Sequence, residues 1–111
     1  MSEKIEKLEK QMMGFGKETP SLMGSFMKLD HECVKDGLLS HKIKELMALS
    51  IGIAIRCEYC IRFHTAEAVK AGANRAEILE AAGVSVFMGG GPAVAYIAAE
   101  LLPLLDEMGV K

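Results

Sequence analysis

The run Cys57-Glu58-Tyr59-Cys60-Ile61-Arg62-Phe63-His64 constrains this chain more than any other stretch. In a helix, the i,i+3 spacing of Cys57 and Cys60 and the i,i+4 spacing of Cys60 and His64 put all three side chains on one face. A helix beginning here presents free backbone N–H groups and the positive end of its dipole, both of which favour thiolate over thiol. With Cys57 at the cap and Cys60 in the first turn, one or both cysteines are expected to ionise more readily than a free cysteine. Arg56 and Arg62 are expected to add positive potential. Helical side chains lean toward the N-terminus, which brings His64 back over Cys60, where it can take or return a proton.

The rest of the chain must supply the helices. At 111 residues, half of them apolar but only 5% aromatic, the core has to be built from Ala, Leu, Ile, Val and eight Met. That is the vocabulary of packed helices rather than of sheets. The expected fold is all-α: one compact domain, residues 1–111, of about six helices. The apolar content exceeds what so small a domain hides, so part of the helical surface is expected to be buried between subunits of a homo-oligomer.

Thirteen basic residues scattered among fifteen acidic ones leave a net charge of -2 and no footprint for nucleic acid. The charged N-terminus lacks the apolar stretch of a signal peptide, and no run approaches the ~20 apolar residues of a membrane span. The expectation is a cytoplasmic protein without membrane contact. In a reducing cytosol three cysteines are not a disulfide framework, and a close pair reads as catalytic or metal-binding.

Ile5, Leu8 and Met12 define an amphipathic helix over 2–13, which Gly14 and Gly16 are expected to end. Pro20 suits the first turn of a second helix capped by Thr19, with Leu22, Met23, Phe26, Met27 and Leu29 as its buried side. His31, Cys33 and His41 fall near or beyond its end and read as structural or exposed. Ser40 caps a third helix reaching about residue 55, with Ile43, Leu46, Met47, Ser50, Ile51 and Ala54 pointing inward and Glu45 beside that stripe. The apolar pattern breaks near Arg56, so the chain turns there, and the next helix ends at Gly72. Asn74 and Glu77 form a capping box for a fifth helix to about residue 87. Glycines 89, 90 and 91 break the chain; without the strand and lysine of a phosphate loop they read as a hinge or tight crossing. A last apolar helix over about 92–108 should bend at Pro103.

Glu45 lies twelve residues before Cys57, about 18 Å away along an unbroken helix. A reversal at Arg56 instead places it opposite the second turn of the next helix, within reach of His64. The order that follows is Glu45 orienting His64 and His64 serving Cys60, with Cys57 able to close a disulfide: a proton relay feeding a dithiol.

Glu45 with Cys57-Glu58-Tyr59-Cys60 and His64, then Ala68, Gly72 and Glu77-Ile78, resembles the core of the alkyl hydroperoxidase D and carboxymuconolactone decarboxylase family. The resemblance covers residues 38–90. It implies an all-helical thiol peroxidase or disulfide reductase, often a trimer or hexamer, with no cofactor or metal. By the same analogy Cys60 reacts with a hydroperoxide to give a sulfenic acid, Cys57 resolves it, and a lipoyl group or another dithiol reduces the disulfide. The sequence departs from the characterised peroxidase at Tyr59, where that enzyme has a relay histidine, leaving Tyr59 as a relay or pocket residue. The decarboxylase branch works without the cysteine pair, so its retention argues against lactone decarboxylation. Two other readings remain: structural zinc on Cys57, Cys60 and His64 completed by Cys33, His31 or His41, and a non-catalytic helical assembly module.

Overall fold

The computed structural model describes residues 2–111 and contains helices α1 (Glu3–Glu18), α2 (Pro20–Val34), α3 (His41–Ala54), α4 (Glu58–Lys70), α5 (Arg75–Gly89), α6 (Gly91–Tyr96) and α7 (Leu102–Met108), with a π-helical turn (Ile97–Leu101) joining the last two. No strand occurs among the described residues, so the all-α expectation is met. α3 is the central rod, packed between α4 and α5. Its Leu46, Leu49 and Ile53 meet Ile61 and Ala68 of α4, Ile78 and Ala82 of α5, and Leu101 and Leu105 of the C-terminal rod. A smaller cluster of Ile5, Ala66 and Leu104 fastens α1 across α4 and α7. Ser2 reinforces that attachment by accepting from Lys4 N–H at 3.2 Å and donating to Glu107 Oε2 at 2.9 Å.

Several local expectations hold at the level of atoms. Ser40 Oγ accepts from Ile43 N–H at 3.1 Å. The Asn74–Glu77 capping box is closed in both directions, at 2.9 and 3.0 Å. Gly72, with φ 97°, ends α4 in a Schellman arrangement: its N–H bonds to Val69 O and that of Ala73 to Ala68 O.

Other expectations are corrected. α1 does not stop at Gly14 and Gly16 but runs on to Glu18. Gly16 is a contact point instead, since a Cβ there would lie 3.0 Å from Met23 Cγ of α2. Thr19 does not cap α2; its hydroxyl donates back to Phe15 O at 2.8 Å, and Pro20 starts the helix unaided. His31 and Cys33 do lie near the end of α2, in its last turn, and His41 lies beyond it, opening α3. No residue of α2 is buried, and Leu22, Phe26, Met27 and Leu29 face outward. In α3 the inward stripe is rotated: Glu45, Leu46, Leu49, Gly52 and Ile53 are buried, while Ile43, Met47 and Ile51 are exposed. The final rod reaches Met108 as expected, but its irregularity is the π turn. There the N–H of Leu102 bonds to Ile97 O, five residues back. Pro103 cannot donate to the carbonyl four residues earlier, and one wide turn before it accommodates that loss.

Candidate active site

The reversal between α3 and α4 is built from two fused caps. Arg56 adopts φ 60°, the left-handed conformation that closes α3; its N–H bonds to Ile53 O at 3.0 Å and the next N–H, from Cys57, to Gly52 O at 2.9 Å. Cys57 is at once the N-cap of α4, its Sγ accepting from Cys60 N–H at 3.1 Å. Only Ile55 and Arg56 lie between the last residue of α3 and the cap of α4. The two cysteines stand with Cα atoms 5.2 Å apart and their sulfurs at bonding distance, both half-buried. Cys60 packs directly on the glycine of α3: a Cβ on Gly52 would lie 2.8 Å from Cys60 Cβ.

Glu45 and His64 meet across the same helix pair. His64 Nδ1 lies 2.7 Å from Glu45 Oε1, and Glu45 is only 2% exposed. A carboxylate so removed from water is costly unless a partner satisfies it. An ionised carboxylate can only accept, so His64 Nδ1 carries the hydrogen and neutral His64 keeps a basic Nε2. The second oxygen of Glu45 faces His41 Nε2 at 3.8 Å. Glu45 is thus a buried member of the α3 face, not a residue beside it.

The arginines supply less field than expected. Arg62 is held by Glu58 at 2.9 Å and by Glu100 at 3.9 Å, so most of its charge is offset locally, and Arg56 is exposed. Tyr59 takes no hydrogen bond in the relay. It is 59% exposed, its ring lies 5.4 Å from the Arg62 guanidinium carbon, and with Lys4, Lys7, Leu8 and Gln11 the two line a pocket of about 290 Å³. Cys33 is a free, exposed thiol on α2, and Cys57 and Cys60 are joined to each other, so the cysteines are not gathered into a ligand set with His31 or His41. Away from the dithiol, Lys42 bonds Glu77 Oε2 at 2.8 Å. That bond, with the capping N–H of Asn74, holds the Glu77 carboxyl below its ordinary value.

The model of the carboxymuconolactone decarboxylase family matches residues 20–102, from the start of α2 into α7. The chain belongs to the carboxymuconolactone decarboxylase family. It is similar to a family member from Legionella pneumophila whose apo crystal structure is known, with 42% identity, a TM-score of 0.84, and 96% of this chain and 97% of that one covered. A second family protein, from Thermotoga maritima and described as a candidate in the antioxidative response, shares 32% identity with a TM-score of 0.71 over 78% of this chain and 89% of that one. An uncharacterised protein of Cupriavidus necator is 29% identical over 105 residues, covering 95% of this chain and 92% of its own length. The family match reaches beyond residues 38–90, taking in α2, α6 and the π turn.

Within this family member, the places of three residues beside the site, Gly52, His41 and Glu67, escaped the sequence reading. Gly52 is a small residue in an apolar run, and nothing short of the packing shows that Cys60 needs its missing Cβ. His41 and Glu45 are spaced i,i+4, a pairing the sequence does offer. Glu67 comes from α4 and brings an oxygen within 4.8 Å of the facing atoms of His41 and Glu45; only the α3–α4 register reveals it.

Proposed function

We propose that this protein is a thiol-dependent oxidoreductase that reduces hydroperoxides through Cys60 and Cys57. The observation that carries the reading is the buried Glu45 holding His64 Nδ1 at 2.7 Å, on the helix whose first turn bears two cysteines at bonding distance. A structural pair has no need of an oriented base, whereas thiol chemistry does. His64 Nε2 takes the Cys60 proton. The thiolate, favoured by the α4 N-terminus, attacks the peroxide, the O–O bond breaks, and the proton passes to the departing alkoxide. Cys60 is then a sulfenic acid; Cys57 attacks its sulfur, water leaves, and the disulfide forms. A lipoyl or other dithiol returns both cysteines to thiols and is itself oxidised. The family relationship to a protein described as a candidate in the antioxidative response supports this direction.

The working unit in this reading is a homo-oligomer, a trimer or hexamer, in the cytoplasm. Its support is the apolar surface left open on one chain: Leu22 and Phe26 on α2, and the groove of about 450 Å³ between Ile43, Met47 and Ile51 of α3 and Val84 of α5. No helix among the described residues is long and apolar enough to cross a membrane.

The test is hydroperoxide consumption with dihydrolipoamide as reductant. Cys60→Ser should abolish it, while Cys57→Ser should leave a sulfenic acid at Cys60 that dimedone traps. The reverse pattern would move the attacking role to Cys57, and no consumption by the wild type would overturn the peroxidase reading.

A further inference from the structure

The carboxylate of Glu45 has two oxygens, and His64 uses one. The other, Oε2, lies 3.8 Å from Nε2 of His41, one turn earlier on α3. The opposite ring nitrogen, His41 Nδ1, is 2.6 Å from the carbonyl of Val34 at the end of α2. A carbonyl only accepts, so Nδ1 carries a hydrogen in both protonation states, and Nε2 is the atom that titrates. Neutral His41 therefore turns a lone pair toward Glu45, and charged His41 turns an N–H. At 3.8 Å the contact is too long for a direct hydrogen bond, leaving Coulombic attraction or a bridging water.

We propose that His41 is a positioning residue of the relay: it holds the second oxygen of Glu45, and its protonation sets how strongly that carboxylate supports His64 as a base. Charged His41 neutralises part of Glu45, so His64 holds its proton less firmly; neutral His41 leaves Glu45 its full charge. The surrounding groups act on the same atom. Glu67 of α4 brings a carboxylate oxygen within 4.8 Å of the His41 and Glu45 atoms, while Lys70 Nζ, 3.7 Å from Glu67 and 3.8 Å from Glu9 of α1, offsets part of its charge. Asp36, in the loop before α3, accepts from the His41 backbone N–H at 2.7 Å and fixes where the ring starts. The consequence is a base at the dithiol that strengthens as pH rises through the titration of His41. Because Val34 closes α2, the same ring also ties the relay to the end of that helix.

This inference rests on the relay described above, but its test needs no peroxide. The chain has three histidines, and His31, exposed on α2, serves as the internal reference in an NMR titration of the reduced full-length protein. In the wild type, the His64 ring should show a second inflection at the pH where His41 titrates. His41→Gln should remove that inflection and move the His64 midpoint upward by roughly half a pH unit or more, the size expected for losing a cation several ångströms away. His41→Lys restores a fixed positive charge without the ring and should move the midpoint back down. The pH profile of thiol alkylation should lose the corresponding step in both variants. If the two substitutions shift His64 in the same direction, or not at all, His41 is only a structural link and the proposal falls. Should the variants not fold, a single-inflection His64 curve in the wild type refutes it equally. Coupling without hydroperoxide consumption would keep the relay and discard the peroxidase.

Discussion

Gly52→Ala tests the closest contact between the fold and the dithiol. An alanine Cβ would sit 2.8 Å from Cys60 Cβ, with the carbonyl carbon and Cα of Cys60 at 3.7 and 3.9 Å. Carbon pairs rest at about 3.5–4.0 Å, so the first contact is short by at least ~0.7 Å. The opposing atom is the stem of a side chain and cannot swing aside, so α4 must move off α3. Alanine is favoured over glycine in a helix by ~1 kcal/mol, and overpacking of this kind costs ~1–3 kcal/mol. The two nearly offset, leaving a net loss of about 0–2 kcal/mol. Function should suffer more. The 2.7 Å His64–Glu45 bond and the Cys57 N–H bond to Gly52 O cross the same interface, and a displacement approaching 1 Å in a reacting site costs on the order of 100-fold in rate. Urea unfolding of the reduced protein reads the first quantity, and single-turnover oxidation of the thiols reads the second. A Gly52→Ala variant about 1 kcal/mol more stable than wild type and oxidised at the wild-type rate would refute the packing argument.

Glu45→Gln keeps an acceptor for His64 Nδ1–H but removes the charge, exchanging a charge-assisted bond for a neutral one worth ~1 kcal/mol less; thiol oxidation should slow about tenfold while the unfolding transition stays cooperative, and an unchanged rate would remove Glu45 from the chemistry. Arg56→Gly should raise stability in urea by up to ~1 kcal/mol. Glycine avoids the ~1–2 kcal/mol cost of φ 60° for an L-residue but loses part of that gain through its freer unfolded chain. Lys42→Met should flatten the acid limb of stability. Glu77 is held below its ordinary 4.5 in the folded state, so its contribution is present above that pH and lost as pH falls through the lower folded value. Melting temperatures from pH 6 to 3 should therefore fall less steeply in the variant than in the wild type.

What the sequence disclosed and what it hid differ by kind of interaction. Caps and turns were legible because their chemistry is local: Ser40, Asn74 with Glu77, and Gly72 each act within a few residues of themselves. The Glu45–His64 pairing was legible only once Arg56 was taken as a reversal, since that single turn converts a twelve-residue separation into an antiparallel neighbour. The α3 stripe was misassigned because that helix is apolar on two sides. A periodicity argument picks the side without the carboxylate, and here the carboxylate is on the buried side because His64 satisfies it. α2 failed for a related reason: Leu22, Phe26, Met27 and Leu29 share a pattern that marks a covered face without saying what covers it. Gly16 shows that glycine near a helix end can be a packing device as readily as a stop, and Gly14 that the helix can simply run through one.

The fused caps at Ile55, Arg56 and Cys57 explain why the proposed redox pair suits this point of the fold. A cysteine at an N-cap has its sulfur among unpaired N–H groups, yet a free-standing N-cap frays and moves with the loop before it. Here the connection is only Ile55 and Arg56, and Cys57 N–H makes the last bond of α3, to Gly52 O. The carbonyl of that same glycine fixes Cys57, and its missing Cβ admits Cys60. One residue of α3 thus sets both sulfurs, and Glu45, two turns earlier on the same buried face, sets the base. The left-handed Arg56 is the cost of joining the helices so abruptly, ~1–2 kcal/mol by general precedent. Lengthening the turn by one glycine after Arg56 would relieve that strain, but it would also free Cys57 from Gly52. Stability and thiol reactivity should therefore part company in such an insertion, the first nearly kept and the second falling with the loss of the fixed cap.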